Sequence, residues 1–266
     1  MQVALNVSVS MILEHQESDC PFCKSNKTET PNPIPMSKDV GDWEEDPVSD
    51  TALIGNDAGE LESNMDNPRP ANWIIDIQSD LDGEKDHKVT PNPHHLIPGN
   101  ESLKRADELL LWIFAEKNKI ENDIGYNVNN GENGIWLPSN NSMRGVSWWA
   151  GKQHINRKFI YAEKAMQKGN GHFHDRHNSP YSDFVLEILL KIADRMNGKE
   201  APGCPYKPEA KADGKFPPPY ALVTRLNGVS SRIKTYLMDW RRPNRRVYTS
   251  KLVWGLWTKE QKVIDG

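Results

Sequence analysis

The sequence predicts an α+β fold, in which short strands and amphipathic helices follow one another through the middle of the chain. Short apolar runs flanked by turn-forming residues occur at 72–77 and 135–138. The first fits a strand or a turn of helix, and the second fits a strand. Residues 153–168 and 179–196 carry apolar residues at helical spacing. Both kinds of element are therefore expected in one core.

The composition divides the 266 residues into three segments. Residues 1–70 begin with an alternating apolar stretch at 1–13, which predicts a strand, and continue as an acidic linker rich in Pro, Asn and Ser. Residues 71–200 carry the regular patterning and form the predicted core. Residues 201–266 are proline-rich at first and then basic and aromatic.

The sequence gives no sign of a membrane anchor or a classical signal peptide. No run of about 18 apolar residues occurs, so no membrane-spanning helix is expected. The apolar start at 1–13 lacks both a basic region and a small-residue cleavage site.

Charge is distributed unevenly along the chain, although the formal net charge is only −4. Residues 1–88 contain 6 Lys and Arg against 19 Asp and Glu, whereas residues 201–266 contain 13 against 5. A basic C-terminal segment predicts nucleic acid as its ligand, although a solvated surface would also explain it. The candidate phosphate-binding arginines are Arg176, Arg232, Arg241, Arg242, Arg245 and Arg246.

Signals for helix starts and stops define the elements of the core. Ser102 is expected to cap a helix of about 18 residues that ends near Lys119, because apolar residues recur at helical spacing. The helix at 153–168 is expected to stop at Gly169-Asn170-Gly171. Ser179 as N-cap and Pro180 at the first helical position predict the start of the next helix.

Two adjacent histidines, His94 and His95, stand between prolines near the start of the patterned region. Adjacent side chains on an extended segment point to opposite faces, so one could bind a cation while the other handles a proton. Three further histidines precede the helix that starts near Ser179, at a loop-to-helix junction: His172, His174 and His177.

Together with Asn133, these histidines suit metal-assisted hydrolysis of a phosphodiester bond. The expected ligands of one divalent cation are His94, His174 and His177. His172 is an alternative ligand in place of His174. His95 would be the general base that takes a proton from water. Asn133 would do no chemistry; its amide would pin the loop that holds the base.

The remaining histidines and the cysteines fit plainer roles. His15 and His87 lie in polar surroundings and are expected to be exposed, and His154 is expected to be structural. Three cysteines cannot all pair, which excludes a disulfide-rich scaffold. The Cys-x-x-Cys spacing allows a redox site, half a zinc site or plain thiols. The cysteines are Cys20, Cys23 and Cys204.

Three motifs carry a resemblance to a known family. They are Pro93-His94-His95-Leu96-Ile97-Pro98, then Gly125-Tyr126-Asn127-Val128-Asn129 leading to Asn133-Gly134-Ile135-Trp136-Leu137-Pro138, then His174-Asp175-Arg176-His177-Asn178-Ser179-Pro180-Tyr181. Over about residues 90–196 the sequence resembles the AHH nucleases of the HNH/endonuclease VII superfamily. Two features depart from the pattern. Proline stands at position 93 where the family has alanine, and the histidine pair before the helix is spaced by three where related families often show four.

The resemblance implies a ββα-metal (HNH-type) core with added helices, flanked here by the acidic N-terminal segment and the basic aromatic C-terminal extension. It implies a metal-dependent endonuclease that cleaves DNA, with Mg²⁺ as the expected metal and Zn²⁺, Mn²⁺ or Ni²⁺ as alternatives. The family occurs mostly as toxin domains of bacterial polymorphic and type VI secretion effectors. It therefore also implies a cognate immunity protein, a secretion or adaptor protein at the N-terminal segment, and action in a target cell's cytoplasm after secretion.

Other functions remain open at this level. A ribonuclease could use the same metal centre, because such a centre recognises the phosphate group, which DNA and RNA share, before it recognises the sugar. A binding module for nucleic acid or protein could hold a structural metal, whose removal would unfold the domain. A thiol-redox enzyme would depend on Cys20 and Cys23.

Overall fold

The computed structural model describes residues 54–77, 86–150, 154–175, 179–198, 210–241 and 247–264, with the backbone alone for 259–264. Several features discussed above lie outside these residues: the predicted strand at 1–13, the three cysteines, Arg176, His177, Arg242, Arg245 and Arg246. The candidate site residues within the described ranges are His94, His95, Asn133, His174, Arg232 and Arg241.

Three antiparallel strands form the sheet of the described ranges, in the order β1-β2-β3. They are β1 (Trp73–Asp76), β2 (Asp86–His95) and β3 (Gly134–Ser139). The strand predicted at 135–138 is confirmed, and the run at 72–77 is a strand and not a turn of helix. The central strand β2 ends at the histidine pair, with His95 opposite Gly134 in β3.

The fold is α+β, as predicted. The described α-helices are α1 (Ala58–Asn64), α2 (Asp107–Leu110), α3 (Ser147–Ala150), α4 (Ile155–Gly169), α5 (Ser179–Asn197), α6 (Ala221–Met238) and α7 (Lys251–Ile264). Four short 3-10 helices accompany them: Leu103–Arg105, Ala115–Lys117, Gly131–Asn133 and Asn141–Met143. Within these ranges, no helix is both long and apolar enough to cross a membrane.

Helices α4 and α5 confirm the two helices predicted around the histidine junction. Helix α4 ends where expected, with Asn170 in the left-handed region at φ 49°. Helix α5 is described from Ser179 onward, and it carries its apolar stripe toward the core. The buried residues of that stripe are Tyr181, Phe184, Val185, Ile188, Leu189 and Ile192.

The single long helix predicted from Ser102 to about Lys119 is wrong. The segment consists of two 3-10 turns and the single turn of α2, and Ala106 interrupts the helix at φ −93° and ψ 56°. Trp112 explains why, because it lies off the predicted apolar stripe and yet is fully buried, with its Nε1 donating to Asn197 Oδ1 at 3.0 Å. A regular amphipathic helix would turn this ring away from the core.

The core has two parts. The larger part combines apolar residues of β3, α5 and α6 with the segment 103–114, and the smaller part combines those of β1, α4 and α7. Helices α6 and α7 belong to residues 201–266, for which the sequence interpretation gave composition only. Helix α6 buries residues at helical spacing: Leu222, Leu226, Val229, Ile233 and Leu237. This segment therefore contributes to the hydrophobic core.

Part of the predicted linker is helical and packs on the core. The Asp57 carboxylate caps α1 by accepting the N–H groups of Gly59 and Glu60, and Leu61 is fully buried. Asn64 Nδ2 donates to the Asn129 carbonyl at 3.0 Å. The domain boundary at residue 70 stays a prediction, whereas residues 54–65 contact the core directly.

Gly131 lies so close to α1 that a side chain does not fit. A Cβ there would be 2.1 Å from the Asn64 backbone oxygen. We expect Gly131→Ala to lower the free energy of unfolding by about 1–3 kcal/mol, because α1 must move. Gly228→Ala is the matched control: it lies exposed on α6 with nothing within 4 Å, and should raise that free energy by up to about 1 kcal/mol. Urea unfolding measures both, and equal changes would contradict the close packing of α1.

Candidate active site

The adjacent histidines are buried where β2 ends. His94 pairs with Ile135 and His95 with Gly134 across the β2–β3 ladder. Their exposed fractions are 1% and 3%. The ladder therefore fixes the backbone of both residues, and the surrounding protein shields both rings from bulk water.

Strand β3 also brings His174 to His94. The His174 N–H donates to the Pro138 carbonyl at 2.8 Å, and Ser139 and His174 form an isolated parallel bridge. The ring centroids of His94 and His174 are 4.7 Å apart. Two of the three predicted ligands thus meet, and the third, His177, lies outside the described residues.

Tyr181 of α5 packs against His94. Its ring centroid is 5.4 Å from that of His94, and its hydroxyl donates to the Leu96 carbonyl at 2.6 Å. Burial raises the pKa of the Tyr181 phenol far above its usual value. The hydroxyl therefore stays a hydrogen-bond donor, and it ties α5 to the chain directly after the histidine pair.

The orientation of His95 is set by Asn129. His95 Nε2 lies 2.8 Å from Asn129 Oδ1, and the same oxygen accepts the Asp57 N–H at 2.9 Å. Because an amide oxygen can only accept, we assign the hydrogen of neutral His95 to Nε2 and its ring lone pair to Nδ1. Nδ1 is therefore the basic atom of this imidazole.

Asn133 is fully buried and bonds four groups at once. Its Oδ1 accepts the Ile97 N–H at 2.7 Å and the Ser230 hydroxyl at 2.8 Å. Its Nδ2 donates to the carbonyls of Ile97 at 3.0 Å and Val128 at 2.7 Å. The amide thus ties the chain after His95 to the loop before β3 and to helix α6. These contacts are of the kind expected for a residue that pins the loop.

His172 and His87 lie in other environments. The His172 ring packs against Trp257 of α7 with centroids 5.2 Å apart, and burial lowers its pKa from 6.5 to about 3. The expectation that His87 is exposed is wrong, because the residue is only 6% exposed and meets Trp148 edge-on. The alternation of β2 turns its polar sequence neighbours to the opposite face.

Only two of the candidate arginines lie in the described ranges. Arg232 is half-buried on α6, two residues after Ser230, which bonds Asn133. Arg241 is exposed, with its guanidinium 5.3 Å from the Trp240 ring centroid. Arg232 therefore lies on the helix whose Ser230 contacts Asn133.

The donor atoms suit a divalent cation bound through imidazole nitrogen. Imidazole is a good ligand for Zn²⁺ and Ni²⁺, whereas Mg²⁺ prefers oxygen. Within the described ranges, which omit His177, no cluster of three or more His, Cys, Asp or Glu side chains could hold a metal. His94 and His174, with rings in contact, fit the implied metal as two of its ligands.

Comparison with family models gives a match over part of the chain. Residues 81–202 match the family model AHH, described as a nuclease family of the HNH/ENDO VII superfamily with conserved AHH. No curated protein and no solved structure matches the chain. Because the matched family is a nuclease family, residues 81–202 are a nuclease domain, which hydrolyses phosphodiester bonds. The matched residues include β2, β3 and α5, the elements that lie around the histidines.

The sequence interpretation missed Asn129 as a partner of the candidate base. Asn129 was visible only as part of a motif, and nothing in its spacing assigned a contact to its side chain. It also missed Ser230, which is distant in sequence from every motif. The signal that could have indicated Ser230 is a polar residue on the buried face of a helix. That signal can be recognised only after the helix itself has been predicted.

We expect Asn133→Ala to lower the free energy of unfolding by about 3–5 kcal/mol, because it leaves buried backbone groups of Ile97 and Val128 without partners. Ser230→Ala is the comparison, because it removes one hydrogen bond while Asn133 keeps the rest. It should cost about 1 kcal/mol. Urea unfolding measures both, and a small effect at Asn133 would refute its role in the loop.

Burial of His172 makes the free energy of unfolding depend on pH. Its pKa is about 3 in the folded protein against an ordinary 6.5, so the unfolded chain binds the proton first as the pH falls. The free energy of unfolding should therefore drop between about pH 6.5 and 3, by up to about 1.4 kcal/mol per pH unit from this residue. His172→Phe should remove this contribution, and chemical unfolding across the pH range measures it. An unchanged pH dependence would contradict the buried neutral ring.

Proposed function

We propose that the protein is a metal-dependent endonuclease that cleaves DNA. One observation carries the proposal: within the AHH domain, His95 is oriented by Asn129 while the adjacent His94 contacts His174. This arrangement separates proton transfer from metal binding on neighbouring residues. Each task has its own imidazole and its own supporting contacts.

His95 acts as the general base. Nδ1 takes a proton from the attacking water, whose oxygen bonds to phosphorus while the bond from phosphorus to the leaving oxygen breaks. The imidazolium that forms keeps its Nε2–H bonded to Asn129 Oδ1, which stabilises the new positive charge. Asn133 acts indirectly by holding the chain after His95.

His94 and His174 hold the metal, with His177 as the third proposed ligand. A bound divalent cation supplies charge neutralisation at the scissile phosphate and the leaving oxygen. Mg²⁺ is the metal implied by the sequence resemblance, with Mn²⁺ as an alternative, and the imidazole donors favour Zn²⁺ or Ni²⁺ as competitors. Tyr181 supports His94 from the side of α5.

Nucleic acid binds along the basic C-terminal part of the chain. Arginine pairs with phosphate, and the neighbouring aromatic rings offer stacking surfaces. The proposed contacts in this part are Arg232, Arg241, Arg242, Arg245 and Arg246, and Arg176 is a further proposed contact outside it. The family match supports a nuclease, and DNA is proposed as its substrate on the resemblance to the HNH/endonuclease VII superfamily.

We further propose that the chain is a bacterial effector toxin. The resemblance to toxin domains of polymorphic and type VI effectors supports secretion from the producing cell and action in the cytoplasm of a target cell. A cognate immunity protein would then neutralise it, and acidic residues on that protein would suit the arginines. A secretion or adaptor protein would engage the N-terminal segment.

Purified protein should cleave supercoiled plasmid in the presence of a divalent metal, and chelation should abolish the activity. His95→Ala should slow cleavage by about 10²–10⁴-fold, because the general base is lost. His154→Ala is the matched control, since this half-buried histidine stands outside the site. Gel electrophoresis with Mg²⁺, Mn²⁺, Zn²⁺ and Ni²⁺ in turn measures the rates.

A structured RNA serves as the second substrate. Intact plasmid with degraded RNA would replace the proposal by a ribonuclease with the same centre. Two intact substrates with every metal would refute the nuclease assignment. Cleavage that survives His95→Ala would leave the nuclease and remove His95 as its base.

A further inference from the structure

The Asn129 amide is fixed by residues that precede the matched nuclease domain. Its Oδ1 accepts the Asp57 N–H at 2.9 Å. Its Nδ2 donates to the Gly55 carbonyl at 3.1 Å and to Glu60 Oε2 at 2.9 Å. All three partners lie in residues 55–60, whereas the family match begins at residue 81.

Glu60 connects two asparagines of the loop. Its Oε1 accepts from Asn127 Nδ2 at 2.6 Å, and its Oε2 accepts from Asn129 Nδ2. Asn127 Oδ1 in turn accepts the Asn129 N–H at 2.8 Å. Because a carboxylate accepts only, both amides must present their NH₂ groups to Glu60.

This orientation decides which nitrogen of His95 is basic. With the NH₂ of Asn129 on Glu60 and Gly55, its oxygen faces His95 Nε2. A flipped amide would set its oxygen against the Glu60 carboxylate and its NH₂ against the Asp57 N–H. It would also give His95 Nε2 a donor, which favours the tautomer with the lone pair on Nε2.

We propose that Glu60 is a positioning residue that holds His95 in the Nε2–H tautomer through Asn129. The proposal rests on the nuclease function above, since it concerns the base of that reaction. The functional centre thus extends beyond the AHH domain to the N-terminal end of α1. Glu60 itself is exposed, so its substitution leaves the core intact.

The kinetic test uses the full-length protein with three substitutions. Glu60→Ala should lower kcat for plasmid cleavage about tenfold with KM unchanged, the usual effect of losing an outer partner of a catalytic group. Glu60→Gln keeps one carbonyl acceptor and should therefore lower kcat by less than Glu60→Ala does. Glu62→Ala is the control: this carboxylate on the same helix lies 3.8 Å from Arg69, and its loss should leave kcat unchanged.

The tautomer test needs no activity. Imidazole ¹⁵N chemical shifts of histidine-labelled, metal-free protein at about pH 8, where neutral rings predominate, separate the two tautomers. His95→Gln identifies the signals of His95. The wild type should show Nε2–H, and Glu60→Ala should increase the fraction of the other tautomer while Glu62→Ala does not.

Some outcomes would overturn the proposal. They are a wild-type His95 protonated on Nδ1, a Glu60→Ala protein with wild-type kcat and tautomer, and a fall in kcat without a change of tautomer. Failure of the nuclease function looks different, because the wild type then cleaves neither substrate while the tautomer measurement still reports on Glu60.

Discussion

The buried amide of Asn133 is the contact on which the site depends. It satisfies both backbone groups of Ile97, the Val128 carbonyl and the Ser230 hydroxyl, so three distant parts of the chain meet at one side chain. Each of these polar groups is costly to bury without a partner. The network therefore holds the residues after His95 in one conformation. The position of the end of β2, which precedes them directly, is fixed as well.

A second asparagine, Asn129, acts on the side chain of His95. Asn133 fixes the backbone around the candidate base, whereas Asn129 fixes the ring of His95 by a single hydrogen bond. The two amides differ in what surrounds them. Asn133 is enclosed by backbone groups of the loop and by α6, while Asn129 is bonded from the side of α1. A nuclease domain defined by its motifs alone would include Asn129 but omit what orients it.

The sequence predicted elements correctly where local interactions decide them, and it failed where contacts between distant residues decide them. Helix α5 was predictable because Ser179, Pro180 and a regular apolar stripe act locally. The segment after Ser102 was not, because burial of Trp112 against Asn197 outweighed helical periodicity. His87 was misjudged for a similar reason, since its neighbours are polar but face the other side of β2.

The sequence by itself determined the order of the motifs, the strands and helices that carry them, and the nuclease family model that residues 81–202 match. These features depend on residue types at short separations. The tertiary structure decided which histidine meets which partner: His174 lies against His94 through β3, His172 against Trp257, and Asn129 against His95. Such pairings arise from long-range packing and hydrogen bonding, because groups far apart in the chain must satisfy one another once water is excluded.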